Sequence, residues 1–149
     1  MFADLRVPVE PTHVQVVTVD GARHELVVFR APGLSPESLL ETQEAFFPAR
    51  EGEQLRLFAR SNISALIAAR PKPSTRPEDE LPESRRGVRV HLAGGVLIEG
   101  EIHYVACEVA ARPVDHLNEP SQSFAVFNAE HVQHVVKAHV LFVEEVASG

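Results

Sequence analysis

Two tandem five-stranded β-barrels, each carrying one short helical turn, are the mostly β architecture this 149-residue sequence predicts. Three observations predict it. Apolar and polar residues alternate with period two on either side of glycine turns. The pattern of the first half returns in the second. A proline-rich charged segment separates the two copies. Composition is compatible: with 6% aromatics, no Trp and one Tyr, the core must be built from Val, Leu, Ile, Ala and Phe.

The first unit is read as residues 1–70. Residues 14–28 form a hairpin whose turn is Asp20-Gly21, a pair that accepts the positive φ of tight hairpin turns. A short helical turn follows, with Ser35 as its cap and Pro36 at the first helical position. Strands come next at 54–60 and 62–68. Residues 71–85, with Pro71, Pro73, Pro77 and Pro82 among mixed charges, read as an exposed linker.

The second unit is read as residues 86–149. Val88-Arg89-Val90-His91-Leu92 alternates, and Gly94-Gly95 supplies the turn. Val96, Ile98, Gly100 and Ile102 then share one face, opposite Glu99, Glu101 and His103. Pro113 opens the second helical turn, and strands follow at 122–128 and 131–145. Val132, Val135, Val136, Val140 and Val143 would also line a helix. Their β-branching and their alignment with 54–68 favour strand.

The duplication rests on matches in fixed order. Val14, Val16, Gly21, Glu25 and Val28 meet Val88, Val90, Gly95, Glu99 and Ile102 without a gap. Pro36 and Leu40 then meet Pro113 and Leu117, Phe46 meets Phe124, and Ile63 meets Val140. Residues 14–68 and 88–145 are therefore expected to share one fold. Five short strands bury one face and hide their edges most simply by closing into a small barrel.

Residues 88–118 resemble the first part of the Sm-like fold, one of the SH3-like small barrels. The features are a strand, a glycine turn, a second strand containing Gly100, and then Asp115-His116-Leu117-Asn118. The resemblance implies a loop in which the Asn contacts a nucleic-acid base, which makes Asp115 and Asn118 candidate interaction residues. The first half departs from it, with Leu26 at the strand glycine and Glu41 at the Asn. The late strand His139-Val140-Leu141-Phe142-Val143 lacks the family's Arg-Gly. The chain also looks like uncharacterised bacterial proteins that carry such barrels in tandem.

Charge ranks the partners. The net charge is -7: residues 1–70 hold seven Lys/Arg against nine Asp/Glu, and residues 86–149 four against eight. Neither half has the basic excess that gripping a phosphate backbone requires, so nucleic acid ranks below a protein partner or self-association. Arg56, Arg60 and Arg70 with Phe58 are the most basic region. Asp4 and Arg6 interrupt any apolar N-terminal run, and no stretch is long enough to span a membrane, so a cytoplasmic location is expected.

Cys107, the single cysteine, excludes an internal disulfide and a zinc site built on several cysteines. His131, His134 and His139 are the densest histidines. On a strand His134 faces away from the other two, so they do not collect a ligand set. Asp115-His116 has Ser121, Ser123 and Cys107 as its nearest nucleophiles, without an activating motif. A capped turn, in which Asp and Asn side chains bond local backbone groups, is the favoured reading of Asp115 and Asn118. Glu99 and Glu101, with His91 and His103 nearby, read as a solvated face. Phe46, Phe47 and Phe58 read as core, but Phe46 and Phe47 are adjacent, so one of them must point outward toward the other unit or a partner. The expectation is a non-enzymatic protein-interaction or scaffolding module with no cofactor and no metal. Alternatives are Sm-like nucleic-acid binding, or a small ligand held between the units.

Overall fold

The computed structural model describes residues 10–30, 35–70, 83–105 and 112–146. Two hairpin strands, β1 (Glu10–Thr18) and β2 (Arg23–Arg30), lead to the short helix α1 (Ser38–Glu41). Strands β3 (Phe46–Glu51) and β4 (Gln54–Ala59) follow, then a 3-10 turn at Arg60–Asn62 and β5 (Ile63–Ala69). The same order returns: β6 (Ser84–Leu92), β7 (Val96–Tyr104), α2 (Pro113–Leu117), β8 (Ser123–Phe127), β9 (His131–Val136), a 3-10 turn at Lys137–His139, and β10 (Val140–Val146).

The repetition extends to individual bonds. Val19 N–H donates to Asn62 O, and Ala93 N–H donates to His139 O. Arg60 N–H donates to Ala45 O, and Lys137 N–H to Gln122 O. The β1–β5 register slips between Val17 and Thr18, after Ala65 pairs with Val17. The β6–β10 register slips at the matching place, between Val140 and Phe142, where Phe142 pairs with His91. A shared bulge is a detail that strand propensity alone does not dictate.

Several expectations are corrected. The 131–145 segment is neither a helix nor one strand, because it breaks at the 3-10 turn as the first half does. Phe124 is 7% exposed and matches Phe47 (3%), whereas Phe46 lies outside the core. Ser35 and Pro36 both precede α1 rather than capping and opening it: Glu37 is the N-cap, without a side-chain cap bond, and Ser35 contributes only a turn carbonyl that accepts from Ser38 N–H. Pro113 does occupy the start of α2. The linker lies mostly outside the described residues, and Ser84 and Arg85 already belong to β6.

The main correction concerns closure. All ten strands form one open antiparallel sheet in the order β10-β6-β7-β8-β9-β5-β1-β2-β3-β4. Within each half, the strands on either side of the 3-10 turn are not hydrogen-bonded to each other: β4 is an outer strand, and β9 pairs with β5 of the first half instead of with β10. One free edge of each half is thus satisfied by the other half. This meets the same backbone requirement that closing each unit would meet.

Two apolar clusters form the core. Val14, Val16, Leu26, Val28, Leu40, Phe47, Ala49, Ile63 and Leu66 build one. Val88, Val90, Leu92, Ile98, Ile102, Tyr104, Phe124, Val126 and Val135 build the other, joined by Val17 and Ala65 from the first half. Gly100 is needed where β7 passes β8: a Cβ there would meet the Phe127 carbonyl oxygen inside contact distance. Leu26, at the matching place in β2, is itself a core residue.

Candidate interaction edges

Among the described residues, the outer strands β4 and β10 each pair on one side only. An edge strand normally discourages further pairing with Lys, Pro or inward-pointing charge. These two carry little of that. On β4, Leu55 is 65% exposed and Leu57 68%, with Arg56 between them. On β10, Leu141 is 65% exposed and Phe142 53%, ahead of Glu144 and Glu145.

Neighbouring residues extend both edges. Beside β4, on β3, Phe46 is exposed, while Phe47 turns inward and stacks on Phe58 at 5.9 Å between ring centroids. Beside β10, Phe142 stacks on His91 at 4.2 Å, and His91 Nε2 lies 2.5 Å from Glu144 Oε1. Arg56 Nε sits 3.3 Å from Glu51 Oε1 and its Nη2 donates to Gln54 at 3.0 Å. Val114 on α2 is exposed.

Of the sequence-predicted interaction residues, Phe46 lies next to an open edge and Asn118 ends α2. Phe47 is withdrawn into the core, as one of two adjacent strand residues must be. Asp115 is held locally: it accepts from the backbone N–H, Nε and Nη2 of Arg112, each at 3.1 Å. Those bonds hold its carboxyl below the usual carboxylate range.

The other candidates are dispersed. His131 lines a groove on one side of the β5–β9 junction. His134 is directed toward Glu37 of α1 at 3.6 Å. Burial keeps His134 below the ordinary imidazole value, and Glu37 opposes that shift. His139 Nε2–H donates to Ser61 O at 2.6 Å. No group of three or more metal-ligating side chains occurs among the described residues. Ser123 is buried and donates to Glu41, Ser121 donates to Ser123 O, and Cys107 lies outside the described residues.

Glu99 and Glu101 are exposed, as expected of a solvated face. His103 stays on that face but is covered there: its ring stacks on Phe127, the partner of Glu101 on β8, at 4.3 Å, and its side chain is nearly buried. Burial, aided by the Arg85 charge, lowers its pKa. The basic region also separates into individual contacts. Arg60 Nε donates to Glu44 O, while Arg70 donates to Asn128 O and covers the Phe127 ring at 5.2 Å.

The junction itself was not foreseen. Ala65, Leu66, Ile67, Ala68 and Ala69 of β5 pair with Val135, His134, Gln133, Val132 and His131 of β9. Glu41 of α1 reaches across it. One carboxylate oxygen accepts from Gln122 N–H at 3.1 Å, and the other accepts from Ser123 N–H at 3.1 Å and Oγ at 2.7 Å. The groove beside the junction, about 580 Å³, contains His13, Gln15, Arg23 and Glu25 from the first half and His131 and Gln133 from the second. Three of its polar groups satisfy one another, with Gln15 donating to Glu25 at 2.7 Å and Arg23 donating to Gln15 at 3.0 Å.

No family model, curated protein or solved structure matches this chain. No described helix is long and apolar enough to cross a membrane.

Proposed function

We propose that this chain is a non-enzymatic protein-interaction or scaffolding module built from two tandem units of the small Sm-like type, and that it engages protein through its outer strands. The observation that carries this reading is the apolar character of both open edges: Leu55 and Leu57 on β4, Leu141 and Phe142 on β10. A strand edge supplies backbone donors and acceptors for affinity, and alternate side chains supply selectivity. Among the described residues, the scattering of the histidines, the local pairing of Asp115 and the burial of Ser123 against Glu41 offer an enzymatic reading no assembled set of groups. The acidic balance and the separate engagement of Arg56, Arg60 and Arg70 support the choice of a protein partner ahead of nucleic acid.

Site-specific photo-crosslinking in cells tests this. A benzoylphenylalanine at position 57 or 142 is expected to capture protein, whereas the same probe at Arg89, exposed on the inner strand β6, captures none. Absence of protein adducts from both edges, or adducts to nucleic acid in their place, would overturn the proposal.

A further inference from the structure

A small cavity lies where the two halves meet, on the face of the β5–β9 junction opposite the polar groove. Neighbouring pairs along the junction point to opposite faces. Ile67 and Gln133 turn toward the groove, while Ala68↔Val132 and Leu66↔His134 turn the other way. Strand β8 continues that second face, with Ala125 beside His134 and Phe127 beside Val132. Pro36 and Glu37, leading into α1, complete a cavity of about 290 Å³ over it. Alanine makes the room. In the duplicated order the counterparts of Ala68 and Ala125 are Glu145 and Pro48, both larger.

Two polar side chains converge on this apolar lining. His134 Nε2 lies 3.6 Å from Glu37 Oε2, beyond hydrogen-bond reach. Among the described residues no other side-chain contact engages the Glu37 carboxylate. Burial holds His134 below the ordinary imidazole value, so at neutral pH the ring is uncharged and leaves the Glu37 charge uncompensated. Arg70, which covers the Phe127 ring, donates to Asn128 O and makes no ion pair with Glu37.

The fold itself does not require this pair. In the other copy Val114 stands where Glu37 stands, and Leu57 where His134 stands, both apolar. Polar groups among apolar neighbours cost free energy unless they are bonded. Their presence together at one of two equivalent places, beside a cavity, points to a ligand rather than to a packing need.

We infer that this cavity binds a small organic amine. The apolar body of the ligand lies against Ala68, Ala125, Phe127 and Val132, and its ammonium group donates to the Glu37 carboxylate and to a ring nitrogen of His134. A ligand carboxylate would meet Glu37 with like charge, and a neutral ligand would leave that charge unpaired. The volume is at the small end of ligand pockets, which run roughly 300–1,000 Å³, so the body is a single ring or a short alkyl chain. Neither β4 nor β10 lines the cavity. The site therefore stands whether or not the edges bind protein.

The test titrates the full chain, labelled with nitrogen-15, with 2-phenylethylamine and follows the backbone amide shifts. Two probes of similar shape serve as controls: 2-phenylethanol, which has no charge, and 3-phenylpropionate, which has the opposite one. The amine is expected to saturate with a dissociation constant of about 1 mM or below, the scale of a fragment-sized ligand. The shifts should centre on Glu37, Ala68, Ala125, Val132 and His134. Both controls are expected to bind at least about 10-fold more weakly, the worth of a hydrogen bond to a charged group.

Glu37→Gln keeps the shape and removes the charge. It is expected to weaken the amine about 10-fold and to leave phenylethanol unchanged. Glu37 is partly exposed and its ring partner is uncharged, so the thermal melt of E37Q should match the wild type. Ala125→Leu fills the cavity and is expected to abolish binding of all three probes. Absence of saturable shifts with the amine would overturn the inference. So would shifts centred elsewhere, equal or tighter binding of either control, or an E37Q variant that binds the amine as well as the wild type does. That last result would leave Glu37 and His134 with a packing role alone.

Discussion

Gly94 and Gly95 are neighbours with the same backbone need and different surroundings. Both have positive φ, 81° and 75°. A Cβ on Gly95 would meet nothing within 4 Å, but one on Gly94 would lie 2.7 Å from both Gly21 N and Val19 O. The hairpin turns of the two halves thus touch backbone to backbone. Gly95→Ala is expected to cost about 1 kcal/mol for the left-handed conformation alone. Gly94→Ala should cost clearly more, since the facing turn must also move; urea denaturation midpoints of the two variants give the comparison. His134 supplies a second residue-scale expectation. Its burial holds the folded-state pKa below the unfolded value of about 6.5. Below that pH the unfolded chain takes up a proton that folded His134 resists, so stability is full above about pH 6.5 and falls as pH drops toward the folded pKa. The buried His103 acts in the same direction. His134→Leu, which installs the residue found at position 57, should make the urea midpoint less sensitive between about pH 7.5 and 5.5.

Each strand of the first half has a counterpart in the second, yet the counterparts live in different environments. Strand β5 is almost wholly buried, whereas β10 exposes four of its seven residues, because only β5 has neighbours on both sides. The helical turns diverge likewise. Helix α2 is fastened locally by Arg112 and Asp115, while α1 sends Glu41 across to β8. Glu41 is charged and accepts three bonds, two of them from backbone N–H groups. Glu41→Ala is expected to destabilise the junction by about 1–2 kcal/mol, in line with hydrogen bonds to a charged group at a partly wet site. Hydrogen exchange at the Gln122 and Ser123 amides should accelerate while exchange at the remote β6–β7 amides changes little.

For the molecule as a whole, the organising fact is that the two halves share one sheet. A half standing alone would expose two strand edges. Joining β5 to β9 buries one edge of each and leaves one of each, opposite in kind, at the two ends. The capture of protein at positions 57 and 142 is the measurement that decides at this scale.

Alternation around Gly21 and around Gly94-Gly95 was sufficient to place both hairpins, because side-chain direction in a strand is set by a local period. The duplication was legible for the same reason: matched apolar positions in fixed order produced the same element order twice. Local pattern was less secure where one residue changes the face. Phe46 was aligned with Phe124, but the buried partner is Phe47, and only the β3 pairing distinguishes them. The separation of β9 from β10 by a 3-10 turn was hidden in a stretch rich in Val and His. What the sequence did not reveal was that β5 pairs with β9 rather than each half closing on itself. Both solutions satisfy strand edges, and they differ in a long-range pairing to which no local periodicity is sensitive. That pairing brought Glu41 to Ser123 and His134 to Glu37, and it left Leu57 and Phe142 in the open. The residues at the candidate site are ordinary in sequence; their position at unpaired edges is a property of the tertiary structure.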